Sequence, residues 1–212
     1  MEIHLQNAGK KFNREWIFRK LNYQFTSTQS YAITGPNGSG KSTLLQCIAG
    51  STNLSEGTIQ VNNGEWKSND NNISQSSILN SQLLSIAAPY LELIEEMAAK
   101  EFLQFHQSFK PLLPNITVDE ILLIVGLTKA ADKQIRYYSS GMKQRLKLAQ
   151  AFFSNVPIIL LDEPCTNLDI AGFQLYHQLI KNYTTNRLVI VCSNDEQEIN
   201  FCTNRLNILD WK

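Results

Sequence analysis

The sequence predicts an α/β fold: a mostly parallel sheet built from both ends of the chain, a small antiparallel β region before it, and a helical insertion in the middle. Three observations carry this. Short apolar runs at 31–34, 158–161 and 188–191, with Gly35 closing the first and Asp162 the second, have the pattern of strands buried on both faces. Strand and helix patterns alternate at the two ends of the chain. Between Leu91 and about Phe153 helical spacing dominates instead.

Taken in order, Ile3 and Leu5, Trp16 and Phe18, then Leu21, Tyr23 and Phe25 alternate loosely, as short antiparallel strands do. Tyr31–Thr34 is a short buried strand. Ser42–Ala49 reads as a helix with Leu44, Leu45 and Ile48 on one side and Gly50 as its stop. Thr58–Val61 is a β-rich run closed by Asn62-Asn63-Gly64, a hairpin turn signal. Residues 67–82, crowded with Asn, Ser and Gln, read as an exposed loop. Leu83–Ala88 reads as a strand stopped by Pro89. In the helical stretch, Phe102, Phe105 and Phe109 recur at three and four, as do Val118, Ile121, Leu122 and Val125, with Pro111 and Pro114 as breaks. Ile158–Leu161 is a parallel strand, Phe173 to Tyr183 a helix, Leu188–Val191 a strand, and Leu206–Leu209 the last strand.

The chain has 212 residues, 43% of them hydrophobic and 18% charged, enough for a compact core and against intrinsic disorder. Nineteen basic residues balance nineteen acidic ones, so nothing in the charge demands a nucleic acid or an anionic membrane. No apolar run approaches a membrane span, and the N-terminal residues lack the basic-then-apolar layout of a signal peptide. Cys47, Cys165, Cys192 and Cys202 show no Cys-x-x-Cys spacing and read as reduced cytosolic thiols.

The strongest motif is Gly35-Pro36-Asn37-Gly38-Ser39-Gly40-Lys41-Ser42-Thr43, between a strand and a helix, which fits Gly-x-x-x-x-Gly-Lys-Ser/Thr. Backbone N–H groups of such a loop cradle phosphate, helped by the positive end of the helix dipole. Lys41 reaches the β and γ phosphates, and the Ser42 hydroxyl can ligate Mg²⁺. The acidic pair Asp162-Glu163 ends an apolar strand. In a parallel sheet that places Asp162 near Ser42 as a second metal group and Glu163 toward the γ phosphate, where a carboxylate can polarise an attacking water.

Tyr138-Ser139-Ser140-Gly141-Met142-Lys143-Gln144-Arg145 resembles the signature motif of ATP-binding cassette (ABC) proteins and lies about twenty residues before Asp162. Thr166-Asn167-Leu168-Asp169 resembles that family's D-loop. The resemblance runs from Gly35 to Asp169 and, with the flanking strands, covers nearly the whole chain. It implies an ABC ATPase fold in one nucleotide-binding domain, with 1–88 and 156–212 as the β and core parts and 89–155 as the helical subdomain. It further implies that Ser139 and Gly141 bind the γ phosphate held by an opposite subunit, which matches the anion affinity of a helix start. Phe12 occupies the position of the family's adenine-stacking ring, with Trp16 a weaker candidate and an ordinary strand Phe the alternative.

Three departures from the family pattern stand out, the first covering two residues. Ser140 and Met142 replace the common signature residues. The Q-loop glutamine position falls on Pro89 or Tyr90, with Gln75 and Gln82 lying before the strand, and is followed by the acidic stretch Tyr90–Glu96. Asn194 stands at the switch-histidine position. A carboxamide can donate to a phosphate oxygen, but only imidazole also takes up a proton near neutral pH. His4, His106 and His177 read as structural or solvent-facing. The resemblance therefore implies an ATPase with ATP and Mg²⁺ as cofactors, slow because of the altered residues. It acts as a dimer with a second copy or a related subunit, sits peripherally on the cytoplasmic face of the cell membrane, and drives separate transmembrane permease subunits. The alternatives are an ATPase of a soluble assembly complex and an ATP-sensing regulator.

Overall fold

The computed structural model describes residues 1–62 and 82–212. The turn signal at Asn63-Gly64, nearly all of the polar stretch 67–82, and Gln75 lie outside the described residues. The chain forms two compact units: Met1–Leu84 with Pro157–Asp162 and Asn186–Lys212, and Ser85–Val156 with Glu163–Thr185.

The first unit contains two sheets. β1 (Glu2–Phe12) pairs antiparallel with β2 (Glu15–Thr26) and β4 (Glu56–Asn62), in the order β2-β1-β4. Ile3 stands opposite Phe25, and Leu5 opposite Tyr23 and Ile59. Ile3, Leu5, Phe18, Leu21 and Phe25 are buried, so the loose alternation marks a sheet with one inner face. A register shift between Leu5 and Ala8 explains why it is loose: Asn7 takes a left-handed φ of 48°, and Ala8 returns to the core.

The second sheet is parallel. β3 (Ser30–Thr34) lies between β7 (Leu188–Cys192) and β8 (Asn204–Asn207), and β7 pairs on its other side with β6 (Ile158–Asp162). Every residue of β6 and β7 is buried, as their uninterrupted apolar runs require. The register sets Ile33 beside Cys192 and Cys192 beside Asp162. The carboxyl ends of three strands therefore lie on one row. Helix α1 (Lys41–Ile48) follows β3 and packs on β6 and β7 through a face that includes Leu44, Leu45 and Ile48.

The expected last strand is displaced. β8 ends at Asn207, and Ile208–Trp211 form a 3₁₀ turn, not a strand, because the Asn207 side chain accepts from the Leu209 N–H at 3.1 Å and curls the backbone.

The second unit is helical: α2 (Ala99–Phe109), α3 (Val118–Ile124), α4 (Ser140–Phe153) and α5 (Ile170–Tyr183). β5 (Leu84–Ala87) begins at the boundary of the units. Thr117 caps α3 in a reciprocal box with Glu120, and Gly126, at φ 72°, ends it. Val118, Ile121, Leu122 and Val125 are buried, as their spacing predicts. The phenylalanine series is only partly a core stripe: Phe102 is buried, but Phe105 and Phe109 are exposed and meet edge-on, ring centroids 5.0 Å apart. Residues 163–185 cluster with this unit although they follow β6, because α5 packs on α4. Phe152 meets Tyr176 edge-on, and Phe153 meets Tyr183.

Candidate functional site

The phosphate loop is the turn between β3 and α1. Its glycines have a backbone reason: Gly38 takes φ 76° and Gly40 φ 108°, and a Cβ on Gly40 would lie 2.3 Å from Cγ2 of Ile17. Gly40 is also the residue from which α1 starts, so the free N–H groups of the first turn open toward the loop. Lys41 is buried apart from a few per cent of its surface. Its ammonium donates to the carbonyls of Gly35 (2.7 Å) and Pro36 (3.3 Å). An ammonium has three N–H donors, so one remains beyond these two.

Two further groups stand at the strand ends beside this loop, and one of them contacts it. Asp162 closes β6, 2% exposed, on the same row as Cys192 and Ile33. Two residues beyond Cys192, the Asn194 side-chain oxygen accepts a hydrogen bond from the Gly35 N–H at 3.1 Å. That contact orients the carboxamide: its oxygen faces the loop, and its NH₂ is left to donate elsewhere. The Cys192 thiol points at the Lys41 carbonyl, 3.5 Å away. The first unit thus brings together the phosphate loop, Asp162 and Asn194.

Phe12 ends β1 and is half exposed, with the Lys10 ammonium 4.8 Å above its ring. Trp16 is less available, since Arg19 lies 4.4 Å and Lys11 5.3 Å from its ring centre.

The signature and D-loop residues belong to the second unit. Ser139 is exposed and caps α4, its hydroxyl accepting from the Met142 N–H at 3.2 Å. Gly141 packs against the D-loop: a Cβ there would sit 3.0 Å from the Asn167 carbonyl. Asp169 caps α5 by accepting from the Gly172 N–H at 2.8 Å. That bond, with Arg145 adding to it, holds its carboxyl below the usual range. Glu163 has a left-handed backbone, φ 43°, unusual for a residue with a Cβ, and its carbonyl accepts from the Thr166 N–H in the turn that follows.

Two residues of the signature stretch have roles that the motif alone did not suggest. The buried Gln144 side chain donates to the Pro164 carbonyl at 2.7 Å. Arg145 reaches Asp169 at 3.2 Å and the Val125 carbonyl at 3.4 Å. Both fasten the start of α4 to the segment after Glu163. Their only sequence signal was a polar pair on the inner side of an amphipathic helix.

The comparisons with known proteins agree with this geometry. Residues 18–166 match the ABC transporter family model. The lantibiotic transport ATP-binding protein SrtF of Streptococcus pyogenes is 26% identical over 90% of this chain and 79% of its own length. The cytochrome c biogenesis ATP-binding export protein CcmA of Xylella fastidiosa is 33% identical over 77% of this chain and 70% of its own. Among solved structures, the dimeric post-hydrolysis state of the ATP-binding cassette MJ0796 bound to ADP and Pi has the same fold, with a TM-score of 0.83 at 24% identity over 97% of this chain and 94% of that one. Since the family match runs through the phosphate loop, the signature and the acidic strand end alike, this chain belongs to the ABC transporter family.

Proposed function

We propose a division of labour among the residues of this chain, which is the ATP-binding and ATP-hydrolysing subunit of an ABC transporter. The loop Gly35–Thr43 wraps the triphosphate with its N–H groups, and Lys41 neutralises the β and γ phosphates. The Ser42 hydroxyl and the Asp162 carboxylate suit Mg²⁺, a hard cation that prefers oxygen donors. Among the described residues no cluster of three His, Cys, Asp or Glu side chains could hold a metal, so these two groups would act together with phosphate oxygens and water. When bound, Mg²⁺ offsets phosphate charge and helps hold the reacting oxygens in line. Glu163 orients and deprotonates the attacking water, and the Asn194 amide donates to the γ phosphate. Phe12 stacks on the adenine.

Ser139 and Gly141 of a second copy, or of a related ATPase subunit, complete the pocket from outside. Closure of the pair around two ATP drives separate transmembrane permease subunits, and the chain sits peripherally on the cytoplasmic face of the membrane. In keeping with this, among the described residues no helix is long and apolar enough to cross a membrane. Turnover is slow, because Asn194 cannot take up a proton near neutral pH and the Q-loop position carries no side-chain amide. No nucleic acid partner is needed.

The observation that carries this reading is the row of strand ends that sets Asp162 level with Ile33, two residues before the phosphate loop, with Asn194 bonded to Gly35. Calorimetric titration with Mg-ATP tests it. The expected result is saturable binding by the unaltered chain and at least a tenfold loss in Lys41→Ala. No heat and no saturation in the unaltered chain overturns the reading.

A further inference from the structure

The segment after β5, where the family's Q-loop glutamine is missing, is held from another element. Pro89 has no N–H to donate, and its carbonyl accepts from the Lys147 ammonium at 2.9 Å. The carbonyl of Ala88 accepts from the same ammonium at 3.2 Å. One helical turn earlier, Lys143 forms an ion pair with Glu95. The far end of the segment is pinned through its backbone: the Arg136 N–H donates to Glu95 at 3.0 Å, and the Ile135 N–H to Met97 at 2.9 Å. Between these anchors Tyr90 and Ile94 stay exposed.

Lys143 and Lys147 lie four and eight residues after Ser139, on one face of α4. That face therefore runs from the signature serine at the helix start to two points of the 88–97 segment, six residues apart. A helix is stiff along its axis over so short a distance. Lys147 is half-buried, and desolvation, with Lys143 adding repulsion and Glu92 opposing it, lowers its pKa. Of its two carbonyl contacts, the one to Ala88 is partly buried and the one to Pro89 lies at the surface, and both carry the strength of a charged donor.

We infer that Lys147 is a positioning residue that ties the 88–97 segment to the signature helix, so that ATP contact at Ser139 and the placement of Tyr90 and Ile94 change together. This rests on the proposal that the signature of one copy meets the ATP of another.

Hydrogen exchange measured by mass spectrometry on the full chain carrying Glu163→Gln, with and without Mg-ATP, tests the link. In that parent, Mg-ATP should slow exchange at 35–43, 139–146 and 90–97. With Lys147→Met added, slowing at 35–43 and 139–146 should persist, and the response at 90–97 should fall at least fivefold. Lys147→Arg should restore part of it. Lys147→Gln, which keeps a shorter donor, covers the case in which the methionine variant melts early. A response at 90–97 equal to the parent's in Lys147→Met and Lys147→Gln overturns the inference. So does a parent that responds at 139–146 but not at 90–97. Absence of any response at 35–43 sinks the ATP reading and this inference with it.

Discussion

Asn194 offers the sharpest test of the site, because one contact defines its place. Its side-chain oxygen accepts from the Gly35 N–H at 3.1 Å, at an exposed position. In Asn194→Ala the Gly35 N–H turns to water, so the loss at that contact is one neutral hydrogen bond, about 0.5–1.5 kcal/mol, without a burial penalty. If that contact holds the phosphate loop in its binding form, its loss alone raises the Kd for Mg-ATP by about 2- to 12-fold, at 1.4 kcal/mol per decade, and loss of the proposed bond to the γ phosphate adds to this. Asn194→His behaves differently. A neutral imidazole keeps one nitrogen to accept from Gly35 and one N–H to donate, so affinity stays within about threefold of the unaltered chain by the same arithmetic. Turnover rises, because imidazole also takes up a proton near neutral pH. Below about pH 6.5 both nitrogens become donors, the Gly35 contact is lost, and the gain in turnover fades. Isothermal titration calorimetry with Mg-ATP and a phosphate-release assay, run at protein concentrations that form dimers, measure the two effects. An Asn194→Ala Kd equal to that of the unaltered chain refutes the clamp. A turnover unchanged or lowered in Asn194→His refutes the switch assignment.

Glu163→Gln removes the proposed base while keeping the side chain's shape, so it should hold an ATP-bound dimer. Size-exclusion chromatography with light scattering should show the mass double on adding Mg-ATP, and a monomer at every ATP concentration refutes the sandwich arrangement for this chain alone. His106 should give stability a pH slope. It bonds to Ser154 and Gln150, and burial, helped by Lys110, pushes its pKa down to about 4. The unfolded chain takes up this proton below about pH 6.5 and the folded chain only near 4, so stability is full above the former and falls as pH drops between them. Partial exposure of the ring keeps the loss to about 1–2 kcal/mol. Urea unfolding at pH 7.5 and pH 4.5 should show this difference in the unaltered chain and a smaller one in His106→Gln.

Much of the fold was legible because parallel strands and phosphate loops constrain sequence locally. Ile158–Leu161 and Leu188–Val191 are buried on both faces, which demands apolar residues without a break. The glycines of the loop need backbone angles that other residues resist. Where sequence misled, two signals competed. The apolar residues at 206–209 suited a strand, yet Asn207 capped a turn and ended it. Phe105 and Phe109 keep helical spacing with Phe102 but meet each other edge-on at the surface, because spacing fixes a face and not what covers it. The assignment of α5 to the helical unit depends on Phe152–Tyr176 and Phe153–Tyr183 contacts across more than twenty residues, which no local pattern encodes.

The candidate site divides the same way. Lys41, Ser42 and Asp162 were legible because one motif and one strand end carry them. Asn194 was legible only through its offset from β7, and its contact with Gly35 gives that offset a cause: β7 and β3 are neighbours in register, so two residues past Cys192 the chain meets the residue that opens the loop. Gln144, Arg145 and Lys147 were not legible as fasteners. Their partners are the backbone carbonyls of Pro164, Val125, Ala88 and Pro89 and the Asp169 side chain, and a carbonyl leaves no residue-type signature. A polar side chain on a helix reads as solvated until the acceptor is seen. This bears on the segment 88–97. A segment can be held by a side chain it contributes, or by one sent to its carbonyls from a neighbouring helix. The second arrangement lets the segment's own residues vary freely. On that argument Lys147 supplies the donor for the Ala88 and Pro89 carbonyls, and the measurable consequence is that linkage should follow Lys147.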